Sequence, residues 1–168
     1  MPSRRVNWRE AWRVVASRYP PIALFERLAP DPSVSEALAA LEQLTDPRMR
    51  DEVGEIALVP PGERLSGPGA GFVMVAFTHP NPRGSRFSDG TFGVYYAAAA
   101  LETAIAETAH HFAIIARDSA DPPRGEDMRA LVGAVAADFA DVAALPAAER
   151  AAILDPDSYA AGRAYGTA

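Results

Sequence analysis

The stretch that decides the fold is 91-TFGVYYAAAALETAIAETAHHFAIIAR-117, because two different periodicities meet in it. Its first six residues, 91–96, are rich in aromatic and β-branched side chains and predict a strand. From Leu101 onward the apolar side chains recur at helical spacing and predict a helix over residues 101–117. The members of this apolar stripe are Leu101, Ala104, Ile105, Thr108, Phe112 and Ile115. A strand followed closely by a helix indicates a fold that mixes both element types.

The flanking sequence extends this mixture in both directions. Further strands are predicted at residues 11–19, 72–77 and 128–135, where β-branched, aromatic and other apolar residues cluster. The capping-box pair Ser33 and Glu36 predicts a helix that ends near Asp46-Pro47. Two short helices are predicted near the end of the chain, around residues 147–153 and from Asp157 onward. Residues 59–71 and 79–90, which are rich in glycine and proline, are predicted to be loops. We therefore expect an α+β fold, a single domain with a small twisted split mixed sheet flanked by helices, over residues 8–168 after a tail of residues 1–7.

Composition narrows the classes of function. The chain has 168 residues, of which 49% are hydrophobic and 23% charged, and this balance is typical of one globular domain. The formal net charge of −6 argues against non-specific binding to nucleic acid. The chain has no cysteine, which excludes disulfides, a thiol nucleophile and a cysteine-based zinc site. We expect neither a signal peptide nor a membrane span, and we expect a cytoplasmic location.

Two features that resemble binding motifs are better explained without a ligand. Gly67-Pro-Gly-Ala-Gly71 is rich in glycine, but it precedes a predicted strand and does not open a predicted helix, so it lacks the geometry of a phosphate-binding loop. His110 and His111 are adjacent on the predicted helix and point about 100° apart, so they do not easily share one metal ion. We expect no metal.

The residues that can carry chemistry lie between residues 84 and 107. Arg86 sits in the glycine-flanked loop Gly84-Ser-Arg-Phe-Ser88, and an arginine in such a loop can bind phosphate bidentately. Tyr95 and Tyr96 follow on the predicted strand, where a tyrosine can stack on a planar ring. Glu107 lies in line with Ala104 and His111, which favours an inward position at the edge of the helix. A carboxylate there can stabilise an oxocarbenium-like centre when an N-glycosidic bond is cleaved.

The same residues also allow a plainer interpretation. Arg86 and Glu107 are then solvated surface charges, and Tyr95 and Tyr96 point alternately toward the core and the surface. Composition and spacing alone favour this second interpretation.

A resemblance to a known family changes this balance. The order of several short motifs resembles the RES domain, a family named after an arginine, a glutamate and a serine. These motifs are Trp12-Arg13-Val14, Arg18-Tyr-Pro-Pro, Gly84-Ser-Arg-Phe, Val94-Tyr-Tyr-Ala and Glu102-Thr-Ala-Ile-Ala-Glu107. Phe77-Thr-His-Pro-Asn-Pro and Ser66-Gly-Pro-Gly-Ala70 fit a common bacterial branch of the family. Each motif is weak by itself, but their order and spacing are fairly specific over nearly the whole chain.

The resemblance implies a function and a set of site residues. RES proteins resemble ADP-ribosyltransferases in fold, and they are typically toxins of toxin–antitoxin pairs that degrade NAD at the nicotinamide–ribose bond, by phosphorolysis or hydrolysis. It implies NAD as the substrate and an antitoxin as the partner. By position, Arg13 and Arg86 match the arginines that hold the NAD diphosphate or the attacking phosphate. Tyr96 matches the tyrosine that orients or stacks on a ring, with Tyr95 as its alternative, and Glu107 matches the glutamate that supports the ribosyl cation. We expect these residues to converge on one cleft.

One departure from the family pattern leaves other functions open. The family's serine lies in a glycine-rich turn after a helix that resembles residues 157–168, and neither Ser85 nor Ser88 replaces it. Without the turn and its closing strands we expect a chain that self-associates or is marginally stable, with NAD turnover below that of a complete RES protein. An ADP-ribosyltransferase that modifies a protein and a catalytically inactive partner-binding module are the alternatives to an NAD-degrading toxin.

Overall fold

The computed structural model describes residues 1–18, 53–118 and 125–168, together with Pro21 and Ala40. In this part of the chain there are two strands, β1 (Ser3–Ala16) and β2 (Met128–Ala140). The helices are α1 (Ala70–Thr78), α2 (Leu101–Asp118), α3 (Ala147–Ile153) and α4 (Ala160–Thr167). Three single turns of 3-10 helix are Ile56–Leu58, Pro61–Glu63 and Val142–Ala144. No helix among the described residues is long and apolar enough to cross a membrane.

The chain divides into two compact units, and each unit is assembled from two separate segments. The first unit consists of Met1–Tyr19 and Tyr96–Leu145, and the second of Pro20–Tyr95 and Pro146–Ala168. The chain therefore passes from the second unit to the first between the adjacent tyrosines Tyr95 and Tyr96.

The first unit is a long antiparallel ribbon with one helix packed on it. β1 pairs with β2 from Ser3 opposite Ala140 to Ala16 opposite Met128, and the register shifts between Trp8 and Ala11. Two residues of β1 oppose one residue of β2 at this shift, which makes it a β-bulge. Helix α2 lies against β1, where Thr108 Oγ1 donates to the carbonyl oxygen of Val14 at 3.5 Å.

The second unit has a small core around helix α1. Its buried members are Val53, Val59, Ala70 and Met74, with Ile56, Val75 and Phe77 packed against them. The sequence prediction of a strand over residues 72–77 is wrong, because these residues lie inside α1. This helix is apolar on nearly all sides, and a short apolar run gives no periodicity that separates a buried helix from a buried strand.

The predicted strand over residues 91–96 is also wrong. These residues form no strand in the structure, and Gly93 and Tyr95 lie against α1. A Cβ atom on Gly93 would come within 2.1 Å of the carbonyl oxygen of Ala76, and the rings of Phe77 and Tyr95 are stacked with centroids 6.4 Å apart. The neighbour of this aromatic segment is thus a helix backbone and not a second strand. Two residues after this segment, Ala98 forms an isolated antiparallel bridge to Trp12.

The α+β prediction is confirmed, as are the strands near Trp12 and Met128 and the helix from Leu101. The described sheet is two-stranded and antiparallel, whereas the sequence predicted a mixed sheet. Residues 3–7, which were predicted to belong to a tail, lie in β1 and pair with residues 136–140. The two short helices near the end of the chain are confirmed. The predicted helix after Ser33 lies outside the described residues, and the domain boundaries stay a prediction.

Candidate functional site

The loop of residues 83–90, here called the arginine loop, belongs to the second unit and is shaped by turns. Gly84 and Gly90 have φ angles of 72° and 105°, which glycine adopts without strain. Ser88 is 3% exposed; its hydroxyl donates to the carbonyl oxygen of Phe92 at 2.6 Å and accepts from the amide of Gly90 at 3.0 Å. A buried hydroxyl with both roles filled fixes the path of the loop after Arg86.

Asp89 closes the arginine loop with an Asx turn. Its Oδ1 accepts hydrogen bonds from the hydroxyl of Thr91 at 2.6 Å and from the amide of Thr91 at 3.0 Å. These bonds favour the ionised carboxylate and lower the pKa of Asp89, and the charge of Arg163 lowers that pKa further. The ionised side chain therefore strengthens the hydrogen bonds of the turn.

One nitrogen of the Arg86 guanidinium is hydrogen-bonded to main-chain atoms of the second unit. Its Nη1 donates to the carbonyl oxygen of Asp155 at 2.8 Å, in the connection between α3 and α4, and to that of Ile153 at 3.4 Å, the last residue of α3. Its Cζ atom lies 4.6 Å from the centroid of the Tyr159 ring, within the range of a cation–π contact. Arg86 is partly buried and tethered, and it is not the freely solvated charge of the plainer interpretation.

Helix α4 contacts the main chain of the arginine loop. A Cβ atom on Gly162 would lie 2.5 Å from the carbonyl oxygen of Arg86, and one on Gly166 would lie 2.0 Å from that of Phe87. Arg163, on the same helix, donates from Nε to the carbonyl oxygen of Ser85 at 3.1 Å and from Nη2 to that of Arg83 at 2.9 Å. Glycine at both positions is what lets the helix come this close.

Arg13 and Tyr96 lie together in the first unit. Arg13 is in β1 opposite Leu131, and its Nη1 donates to the carbonyl oxygen of Tyr96 at 3.2 Å. The acceptor is a main-chain atom, so this contact places the arginine beside the chain at Tyr96 without using the phenol. Tyr95, one residue earlier, stacks on Phe77 in the second unit.

Glu107 lies on an exposed part of α2. The prediction that it faces inward is wrong, because its side chain is exposed, as is that of His111, while Ala104 is 6% exposed. Ile105 and Phe112, which belong to the predicted apolar stripe, are also 50% and 37% exposed. The helix thus buries a narrower stripe than its sequence predicts, and the carboxylate of Glu107 lies beside that stripe in solvent.

The structure therefore brings Arg13 to the main chain at Tyr96, and it places Arg86 and Tyr95 in the other unit. The convergence of all these residues on one cleft stays a prediction. Sequence reasoning missed Tyr159 and Arg163, which support Arg86 and its loop. Their spacing of four residues, beside Gly162 and Gly166 at the same spacing, was the available signal for a helix face of this kind.

The chain is similar to a described family and to one curated relative. A family model described as the RES domain matches residues 63–168, a range that includes Arg86, Tyr95, Tyr96 and Glu107 but not Arg13. An uncharacterized protein of Sinorhizobium fredii (strain NBRC 101917 / NGR234), y4oC, is 31% identical over 140 residues, which is 82% of this chain. The chain spans 58% of the length of that relative. No solved structure matches the chain.

Proposed function

Because the chain belongs to the RES-domain family, we propose that it cleaves the nicotinamide–ribose bond of NAD and acts as the toxin of a toxin–antitoxin pair. The observation that carries the proposal is the family match over residues 63–168, since this range holds three of the four principal residues of the expected site. NAD is the substrate and no metal takes part. The cell compartment is the cytoplasm, and the partner is the cognate antitoxin.

Each site residue has a role that its chemistry suits. Arg86 and Arg13 bind phosphate oxygens, because a guanidinium offers planar pairs of N–H groups that match an oxyanion. Tyr96, with Tyr95 as the alternative, stacks on or orients a ring of the substrate. Glu107 lies near the ribose carbon that loses nicotinamide and stabilises the positive charge that develops there.

The reaction has two possible acceptors with different products. In hydrolysis, water adds to the ribose carbon as the bond to nicotinamide breaks, and the products are ADP-ribose, nicotinamide and a proton. In phosphorolysis, an oxygen of inorganic phosphate adds at the same carbon as the bond to nicotinamide breaks, and the products are nicotinamide, ADP-ribose carrying a phosphate on that carbon, and a proton. Both reactions release nicotinamide as a neutral leaving group, so both gain from a carboxylate beside the ribosyl cation.

The deciding experiment incubates the purified chain with NAD, with and without phosphate, and separates the products by chromatography. Release of nicotinamide that depends on the chain supports the proposal, and the second product identifies the acceptor. The Glu107→Gln variant serves as the inactive reference. Release of nicotinamide together with labelling of an added protein would instead favour an ADP-ribosyltransferase. A folded chain that leaves NAD intact under both conditions would favour the partner-binding module and contradict the proposal.

A further inference from the structure

Two guanidinium groups of the second unit share one aromatic ring. The Cζ atoms of Arg86 and Arg163 lie 4.6 Å and 6.0 Å from the centroid of the Tyr159 ring. Both arginines are partly buried, and among the described residues their guanidinium groups donate only to main-chain carbonyls. Within the described residues, neither arginine forms an ion pair with a carboxylate. The groups that hydrogen-bond these two positive charges are therefore neutral, while the charge of Arg163 also acts on the carboxylate of Asp89.

The contacts of Arg163 are arranged around Arg86. Arg163 binds the carbonyl oxygens of Ser85 and Arg83, which precede Arg86 in the arginine loop. Gly162 lets α4 touch the carbonyl of Arg86 itself, and Tyr159 lies under the guanidinium of Arg86. One short helix and the residue before it thus fix both the main chain and the side chain at this position.

The hydrogen bonds of Arg86 leave most of its donors for another partner. A guanidinium has five N–H groups, and the hydrogen bonds that Arg86 donates within the described part of the chain all start from Nη1. A phosphate accepts two parallel N–H bonds only if the plane of the guanidinium is correctly oriented. The contacts that fix the plane of the Arg86 guanidinium therefore control how well it binds a diphosphate.

We propose that Tyr159 and Arg163 are positioning residues for Arg86: they orient its guanidinium so that its remaining N–H groups bind a diphosphate. The inference rests on the proposed function, in which Arg86 binds the diphosphate of NAD. The ring of Tyr159 sets the plane of the guanidinium, and Arg163 sets the path of the main chain that carries it.

The first test removes the ring. Tyr159→Leu is expected to lower the affinity for inorganic pyrophosphate, measured by isothermal titration calorimetry, by about tenfold, the size of one partly desolvated cation–π contact. It is expected to raise the KM for NAD by a similar factor and to leave kcat within about twofold. Tyr159→Phe keeps the ring face and is expected to retain the affinity. If Tyr159→Leu binds pyrophosphate as the unmodified chain does, the inference about Tyr159 is overturned.

The second test separates position from charge. Arg163→Gln removes both hydrogen bonds to the arginine loop and is expected to weaken pyrophosphate binding, also by about tenfold. Arg163→Lys keeps the charge but lacks the planar fork, and it is expected to remain weak. Full recovery of affinity in Arg163→Lys would show that Arg163 acts as a charge near the anion, and would overturn its positioning role.

A matched control excludes a general loss of stability. Arg64 is a partly buried arginine of the same unit that also donates to main-chain carbonyls, those of Val59 at 2.9 Å and Ile56 at 3.3 Å. Arg64→Gln is expected to lower the melting temperature as Arg163→Gln does, and to leave pyrophosphate affinity unchanged. An equal loss of affinity in both variants would overturn the inference, because the effect would then follow stability alone.

The outcomes also distinguish this inference from the proposed function. If the chain binds pyrophosphate in a manner that depends on Tyr159 but does not release nicotinamide from NAD, the proposed function fails and the positioning role stands. If the chain consumes NAD but does not bind pyrophosphate, the proposed function stands and the positioning role is overturned.

Discussion

The ribbon of the first unit and the arginine loop of the second are held by different forces. β1 and β2 are joined by a backbone ladder that runs from Ser3 to Ala16, and the side chains of the ion pair across it, Arg5 and Asp138, are 61% and 66% exposed. The arginine loop has no such ladder in the structure. It is held by side chains that bind main-chain carbonyls, among them those of Arg86 and Arg163, and by the close approach of α4.

The difference shows where substitutions are tolerated. A ladder of backbone hydrogen bonds is independent of most side chains, so exposed positions on the ribbon can change at small cost. Each contact of the arginine loop depends either on one particular side chain or on a glycine of α4, which has no side chain. The same contrast separates the site residues, because Glu107 is exposed on a helix whereas Arg86 takes part in holding its own unit together.

The largest effect is expected from Glu107→Gln, which keeps the shape of the side chain and removes its charge. If the proposed function holds, we expect NAD turnover to fall about a hundredfold or more, since the electrostatic contact proposed between Glu107 and the developing cation is lost. The melting temperature should stay unchanged because the side chain is exposed. Glu102→Gln, on the exposed surface of the same helix, is the control and should retain turnover. Equal turnover in the Glu107 variant and the unmodified chain would remove Glu107 from the mechanism.

Gly93→Ala is expected to destabilise the second unit. The added Cβ would lie 2.1 Å from the carbonyl oxygen of Ala76, so helix α1 or the aromatic segment must shift, at a cost of about 3 kcal/mol. The melting temperature in calorimetry should fall by about 6–12 °C. Gly133→Ala in β2 meets no atom within 4 Å and is the matched control. Similar melting temperatures for both variants would show that the close contact does not exist in solution.

Arg86→Gln is expected to lower the stability of the second unit. The two hydrogen bonds to the carbonyls of Ile153 and Asp155 and the contact with Tyr159 are lost, which we expect to cost about 2 kcal/mol of unfolding free energy. Denaturant unfolding measures this change. Arg83→Gln removes an exposed guanidinium from the same loop and serves as the control. A variant as stable as the control would mean that Arg86 does not tie the connection between α3 and α4.

Arg5→Gln tests the ribbon of the first unit. It breaks the ion pair with Asp138, but both side chains are mostly exposed, so we expect a loss of about 0.5 kcal/mol or less in the same unfolding experiment. Added salt should reduce even this loss, because it screens exposed charges. A loss as large as that of Arg86→Gln would contradict the contrast between the two regions.

The smallest effect is expected from protonation of Asp89. Its pKa is lowered from 3.8, so the stabilisation by the ionised side chain is complete above the ordinary pKa and disappears as the pH falls through the lowered one. The amide proton of Thr91, followed by NMR between pH 6 and pH 2, should lose its hydrogen-bonded chemical shift only in acid. Asp89→Asn should abolish this pH dependence, and a transition near neutral pH would contradict the assignment.

Much of the first unit could be predicted from the sequence. Strands around Trp12 and Met128 follow from their β-branched and aromatic residues, and α2 follows from its helical spacing. Residues 72–77 were wrongly predicted because a run of apolar residues has no period, and only the surrounding core decided that it forms a helix. Residues 91–96 have the composition of a strand, but they form no strand in the structure, and Gly93 and Tyr95 pack on α1 instead.

The candidate site also contains residues that could be predicted from the sequence and residues that could not. The chemistry of Arg13, Arg86, Tyr96 and Glu107 was apparent from residue type, motif order and the family resemblance. The roles of Tyr159 and Arg163 were not, because their partners are a guanidinium and carbonyl oxygens some 75 residues away, such as that of Ser85. A carbonyl oxygen is the same at every residue, so the sequence carries no sign of which one an arginine will bind.

The sequence by itself determined the class of fold, the family and the types of residue that can bind a diphosphate or support a cation, because these follow from side-chain chemistry and local periodicity. Only the tertiary structure decided that Glu107 is exposed and that Arg86 is tethered at one nitrogen beside Tyr159. The physical reason is that burial and orientation depend on which backbone atoms come within a few ångströms of a side chain. The sequence specifies such distances only through the whole fold.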